Sequence, residues 1–288
     1  MTDSVSSEAD QRKSRIAGLF SRAASTYDQV GPRFFTHYGR RLVELAQVSQ
    51  GASVLDIASG RGASLFPAAE RVGPTGRAIG IDLAESMVEE TIHEIRLRDL
   101  GNVEARVMDA ENLLFPNATF DYVLCGFCLF FFPQLERALS EMRRVLKPNG
   151  RIATSTWGKT DEHWQWLDDL LESYLPEPNL PPDEPNTPVP DFETPHGMQA
   201  IMRAAGFAGA TVMAQSHDFT YATEQEWWAT QWSHGMRGYL ERIEATMGVA
   251  GLANVKAEAF EEVQAVKRSD GIHQMLPVLY TLAARPLG

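Results

Sequence analysis

Residues 53–62 read SVLDIASGRG. SVLDI is a short β-type run, ASGRGA a glycine-bearing turn, and residues 64–72 carry helical periodicity. The same grammar repeats outward from it. RAIGID (77–82) is a second strand, followed by a helix over 85–98. VEARVMD (103–109) is a third strand. YVLCGF (122–127) is a fourth, followed by a helix over 134–146, and GRIATSTW (150–157) is a fifth. Strands alternating with helices at this spacing make βαβ units and a parallel sheet. The wholly apolar strands suit a sheet covered on both faces.

The flanks have another texture. Residues 1–13 are polar and read as a disordered tail, and 14–48 as helices interrupted near Gly31-Pro32. The core then spans 49–157. Residues 158–195 read as a helix and a loop. Eight of the sixteen prolines fall in 176–195, which excludes regular structure there. Residues 196–222 and 271–288 read as a helix and strands that complete the sheet. Residues 223–270 read as a helical cap, two helices broken at Gly248 and Gly251.

Hydrophobic residues make up 44% and charged residues 22%, an ordinary globular balance. The net charge of −12 provides no general attraction for nucleic acid or an anionic membrane, so a small-molecule partner is expected. The longest apolar stretch, 122–133, is too short to span a bilayer. A soluble, cytoplasmic protein is expected. Cys125 and Cys128 form a C-x-x-C, but no second Cys/His pair completes a metal site. Core packing is the expected role, and no metal is expected.

Ligands of open parallel sheets bind beyond the carboxyl ends of the strands. Three successive strand ends carry Asp56, Asp82 and Asp109. Gly60 and Gly62 let backbone approach a ligand, and Asp82 lies where an acidic side chain accepts from ribose hydroxyls. A dinucleotide fingerprint requires a third glycine where Leu65 stands, so that reading fails. Asp56 would put negative charge at the mouth of the loop. That suits a ligand with an ammonium and a sulfonium better than a pyrophosphate, and S-adenosylmethionine has both. A single strand-end aspartate is more often a helix cap, but three beside a glycine turn favour the ligand reading.

VLDIASGRG, IGIDLAESM, VMDAENLLFPNATFDYVLC and EMRRVLKPNGRI, in that order, resemble the successive motifs of class I S-adenosylmethionine-dependent methyltransferases. The resemblance is greatest to the small-molecule group that includes ubiquinone and menaquinone C-methyltransferases. It is close over about residues 15–157 and loose over 195–284. It implies an α/β fold with a doubly wound, mostly parallel, seven-stranded Rossmann-like sheet whose last strand (MLPVLYTLAARP) inserts antiparallel. It also implies a helical N-terminal lid and helical insertions over the cleft. Ala58, Ser59, Gly60 and Gly62 would line the methionine moiety. Asp82 would hold the ribose, with Leu83 and Met87 nearby. Asp109 and Ala110 would bond the adenine, Cys125 and Gly126 would lie under the sulfonium, and Tyr27 would close over the methionine end. Two positions depart from the family: Ala58 and Asn149 stand where glycine is usual, and asparagine tolerates left-handed backbone.

Methyl transfer depends on positioning in a dry site, and a base is needed only if the acceptor must lose a proton. Of the seven histidines, His163 and His234 are the candidate bases. Trp157 ends the fifth strand, Trp164, Trp166, Trp227, Trp228 and Trp232 crowd the segments expected to cover the cleft, and Phe127 opens a phenylalanine cluster. Phe127, Trp157, Trp228 and Trp232 are therefore the candidate acceptor pocket, for a hydrophobic quinone, polyketide, terpenoid or indole. The resemblance favours a carbon acceptor. Oxygen or nitrogen methylation, a cofactor-dependent cyclisation, a nicotinamide oxidoreductase and a non-catalytic binding protein stay open alternatives. A homo-oligomer through the N-terminal helix is also open.

Overall fold

β1 (Ser53–Ile57) is an interior strand of the sheet, and both of its faces are apolar. Leu55 and Ile57 pack into one core cluster and Val54 into the other. β2 (Arg77–Asp82) and β4 (Phe120–Gly126) flank it in parallel. β3 (Val103–Val107) extends the sheet beyond β2, and β5 (Leu146–Trp157) beyond β4. The computed structural model describes residues 2–175 and 190–287, so most of the proline-rich loop lies outside the described residues.

β8 (Gly271–Ala284) runs antiparallel between β5 and β6 (Ala208–Tyr221), giving the order β3-β2-β1-β4-β5-β8-β6. This is the α/β, mostly parallel, seven-stranded arrangement that the resemblance implies. A two-residue strand, β7 (Lys267–Arg268), pairs off the main path with β8. The winding reverses between β1 and β4, which opens a crevice at their carboxyl ends. α3 (Leu65–Val72), α4 (Glu85–Leu97), α5 (Leu135–Val145) and α7 (Pro195–Ala204) cover the sheet. Thr194 caps α7, accepting from the Gly197 N–H at 3.1 Å, and Pro195 occupies the first turn.

The additions form a roof. α1 spans Thr2–Ala23, α2 Phe34–Ala46, α6 Gln165–Tyr174, α8 Glu224–Gln231 and α9 Arg237–Val266. α2 begins with Arg33 in a left-handed conformation that caps nothing. Asp28 does that work from five residues upstream, accepting from the Phe35 N–H at 3.1 Å and the Thr36 N–H at 2.8 Å. α9 is broken at Gly248, whose φ of 70° lies outside helical space.

Two expectations about these segments are corrected. Residues 2–13 of the expected disordered tail belong to helix α1, which begins at Thr2. Lys13 is held by ionic contacts that a hydrophobicity pattern does not register. The helix expected from residue 223 onward also stops at Gln231 and resumes at Arg237. The intervening turn projects His234 towards the crevice.

Candidate active site

Gly60 (φ 51°) and Gly62 (φ 82°) turn the chain left-handed between β1 and α3. Ala58 shares this conformation at φ 50°, where a side chain is tolerated at some strain. Asn149 also takes positive φ, at 62°, in the turn where glycine is usual. Asp82 organises the loop. One of its carboxylate oxygens accepts from the Gly60 N–H and the other from the Ala84 N–H, both at 2.8 Å. Burial pushes its carboxyl above the usual range, and these backbone N–H groups partly oppose that.

Tyr27 lies over this loop. A Cβ added at Gly60 would come within 3.6 Å of its ring, and the ring stacks on Phe35 with centroids 5.0 Å apart. Burial pushes the phenol well above its ordinary value, helped by Asp28 and Asp82. Arg61 ties the loop to the end of α1, donating to the carbonyls of Ala24 (3.1 Å) and Ser25 (3.3 Å) while pairing with Glu90. Arg22 of α1 pairs with Glu241 of α9. Deeper in, Lys13 of α1 pairs with Asp109 at 2.7 Å and with the buried Glu111 at 2.5 Å. Burial opposes the charge on Lys13, but hydrogen bonds to the two carboxylates outweigh it and hold the ammonium above its ordinary value.

A cavity of about 1190 Å³ runs from this loop to the underside of α9. Of the residues singled out from sequence, Tyr27, Ala58, Gly60, Asp82, Leu83, Met87, Asp109, Ala110, Gly126, Phe127, Trp157 and His234 line it. Phe127 holds a positive φ of 54° and packs against Trp157 with centroids 4.2 Å apart and ring planes tilted by 34°. His234 sits edge-on to Phe34 and Phe35. Burial pulls its imidazole down to about 4.

A smaller void of about 30 Å³ adjoins the glycine loop. Asp56, Ser59 and Ser155 line it, and Asp56 Oδ2, Ser59 Oγ and Ser155 Oγ are buried without a partner among the described residues. Three orphaned polar atoms around one void leave hydrogen-bonding capacity beside the glycine loop, because buried polar groups require partners.

Other residues fall elsewhere. Asp56 is 1% exposed beneath the loop, not at its mouth. Burial, and then its neighbour Asp82, push its carboxyl well above the usual range. The charge argument from sequence therefore does not hold as made. Gly62 shapes the turn without lining either space. Cys125 is fully buried and bonded to Cys128 as a disulfide, so the pair is more than core packing. Of the two, only Cys128 reaches the cavity.

His163 is exposed and bonded to Asp161 at 2.9 Å, away from the cavity. Trp228 and Trp232 pack instead into a third core cluster with Trp164, Leu171, Trp227 and Ile243. α8 is thus interior structure, because its indoles lie between α6 and α9 and not under them. Lys13, Glu111 and Asp168 border the cavity without a signal in the sequence. Charged residues on a helix surface read as solvated until the partner surface is known.

A methyltransferase-domain family matches residues 54–150. Nocamycin O-methyltransferase of Saccharothrix syringae is 32% identical over 280 residues, covering 94% of this chain and 99% of that protein. Aklanonic acid methyltransferase DauC of Streptomyces sp. (strain C5) is 45% identical over 141 residues, covering 49% of this chain and 64% of that protein. Among solved structures, the YcgJ protein of Bacillus subtilis superposes with a TM-score of 0.58 at 19% identity, covering 88% of this chain and all of that one. That likeness concerns the fold. The ordered motifs, the sheet order and a relative matched along nearly the whole length agree: the chain belongs to the class I S-adenosylmethionine-dependent methyltransferases, with S-adenosylmethionine as methyl donor.

Proposed function

We propose that this enzyme methylates an oxygen of a hydrophobic, polyketide-type small molecule. The observation that carries the reading is the aromatic half of the cavity. Phe34, Phe35, Phe127, Phe131, Trp157 and Trp164 wall a space beyond the glycine loop. The whole cavity, about 1190 Å³, exceeds the ~300–1,000 Å³ of ordinary small-ligand sites. That leaves room for a flat apolar acceptor beside the donor. The relative matched through both core and cap is an O-methyltransferase, which moves the acceptor from the carbon that the family resemblance favours to oxygen.

The donor supplies a methyl carbon activated by a sulfonium. In this reading Asp82 accepts from the ribose hydroxyls while keeping its grip on the Gly60 and Ala84 N–H groups. Asp109 and Ala110 flank the adenine, next to Lys13. Asp56, Ser59 and Ser155 take the amino-acid end, and Tyr27 covers it. Phe127 and Trp157 hold the acceptor against the methyl and keep water out, which is where most of the rate arises in such a displacement. Lipophilic aromatic walls bind the acceptor through area and stacking.

The test is incubation with S-adenosylmethionine labelled with carbon-13 in the methyl group and a panel of aromatic polyketides bearing hydroxyl, enol and carboxyl groups. Methyl resonances in the methoxy or ester range support the reading. Resonances in the carbon-bound range, or no product across the panel, refute it.

A further inference from the structure

His234 stands in the acceptor half of the cavity, and its surroundings restrict what it does there. The Met236 backbone N–H donates to its Nδ1 at 3.3 Å. A ring nitrogen that accepts a hydrogen bond carries no proton, so the neutral imidazole bears its proton on Nε2. Nε2 has no hydrogen-bond partner among the described residues, and it is not one of the sealed polar atoms. The ring lines the cavity with its edges against Phe34 and Phe35. No carboxylate among the described residues is bonded to it, so nothing nearby would support an imidazolium. Burial acts in the same direction, favouring the neutral ring.

We propose that His234 is a fixed Nε2–H donor to an anionic oxygen of the acceptor, and that the preferred acceptors are aromatic molecules bearing an oxygen acidic enough to ionise unaided, such as a carboxylate or an enolate. The reasoning rests on the oxygen reading above and adds to it. A base at this position would need a free lone pair on Nε2 and a proton on Nδ1, and that proton would point at the Met236 N–H. The other candidate histidine, His163, does not line the cavity. His234 then offers an acceptor a proton donor and no base, and an acceptor that arrives already deprotonated needs none. A hydrogen bond to a charged oxygen inside an apolar chamber is stronger than one in water. One N–H then selects such acceptors over isosteric hydrocarbons without taking part in any proton transfer.

The experiment has three arms on the full chain with S-adenosylhomocysteine bound. Nitrogen-15 histidine spectra should place the His234 proton on Nε2 throughout the neutral range. Calorimetry with naphthoate and methylnaphthalene should show the parent preferring naphthoate. His234→Phe should reduce the ratio of naphthoate to methylnaphthalene affinity by about tenfold, and His234→Gln, whose amide still donates, should retain most of it. A proton found on Nδ1, or an unaltered preference in His234→Phe, overturns the proposal. Should His234→Phe fail to fold, the parent spectra and the glutamine variant still decide it. If the tautomer and the preference are as expected but the labelled methyl arrives on carbon, the donor role stands and only the oxygen reading falls.

Discussion

Replacing Lys13 by methionine removes one charge from a triad and keeps the shape of the side chain. Lys13 is 15% exposed, Glu111 1% and Asp109 31%. Breaking a fully buried ion pair costs about 3–5 kcal/mol, mostly from the stranded partner. Glu111 would be that partner. It retains the Gln134 N–H at 2.8 Å, and Asp109 retains solvent and the Glu111 N–H. The expected loss is therefore about 2–3 kcal/mol of folding stability, read by urea denaturation at unchanged slope.

Adding Glu111→Gln to Lys13→Met should recover more than half of the loss, since the stranded charge is gone. The ammonium is held above its ordinary value of 10.5, so its contribution is complete below that pH and lost as pH rises through the raised value. The difference between Lys13→Met and parent should accordingly be flat through neutral pH and shrink in strong alkali. A loss under ~0.5 kcal/mol, the level of an exposed ion pair, would refute the claim that α1 is pinned by this triad. So would a double variant no better than the single one.

Asp82→Ala should weaken S-adenosylhomocysteine binding by about 1–3 kcal/mol. It should also destabilise the ligand-free protein by about 2–4 kcal/mol, because two backbone donors lose their acceptor. Calorimetry and denaturation read the two effects separately. Trp228→Ala should cost about 3–5 kcal/mol of stability and leave the acceptor preferences of the surviving enzyme unchanged, since the indole belongs to the α6–α8–α9 core; a selective rise in acceptor KM would contradict this. His234 is drawn down to about 4 from 6.5, so below 6.5 the unfolded chain binds a proton that the folded chain does not. Stability should fall between pH 6.5 and about 4, and His234→Gln should gain on the parent over that window in denaturant midpoints.

The order of strands, the glycine turn and the three strand-end aspartates are local in the chain. Apolar runs, a helix start and a φ-positive glycine are each decided within a few residues, so SVLDIASGRG and its repeats predicted the sheet and the line of the crevice. The antiparallel entry of β8 was legible only through the family resemblance, since no local pattern distinguishes it from a parallel strand. Contacts between distant segments were not legible at all. Lys13 meets Asp109 across 96 positions, and its sequence neighbourhood looks like any solvated helix.

Trp228 and His234 are six residues apart in one aromatic stretch that sequence treats as a unit. The turn at 232–236 sends one into a core and the other into the cavity. Asp56 ended beneath the loop because strand pairing, not charge, sets its depth. Side-chain burial depends on which surfaces meet, and that is settled by the packing of α1, α6 and α9 over the sheet. The glycine turn and the strand ends that line the cavity, built from consecutive turns, were therefore written in the sequence, whereas its aromatic half, built between helices remote in the chain, was decided only by the tertiary structure.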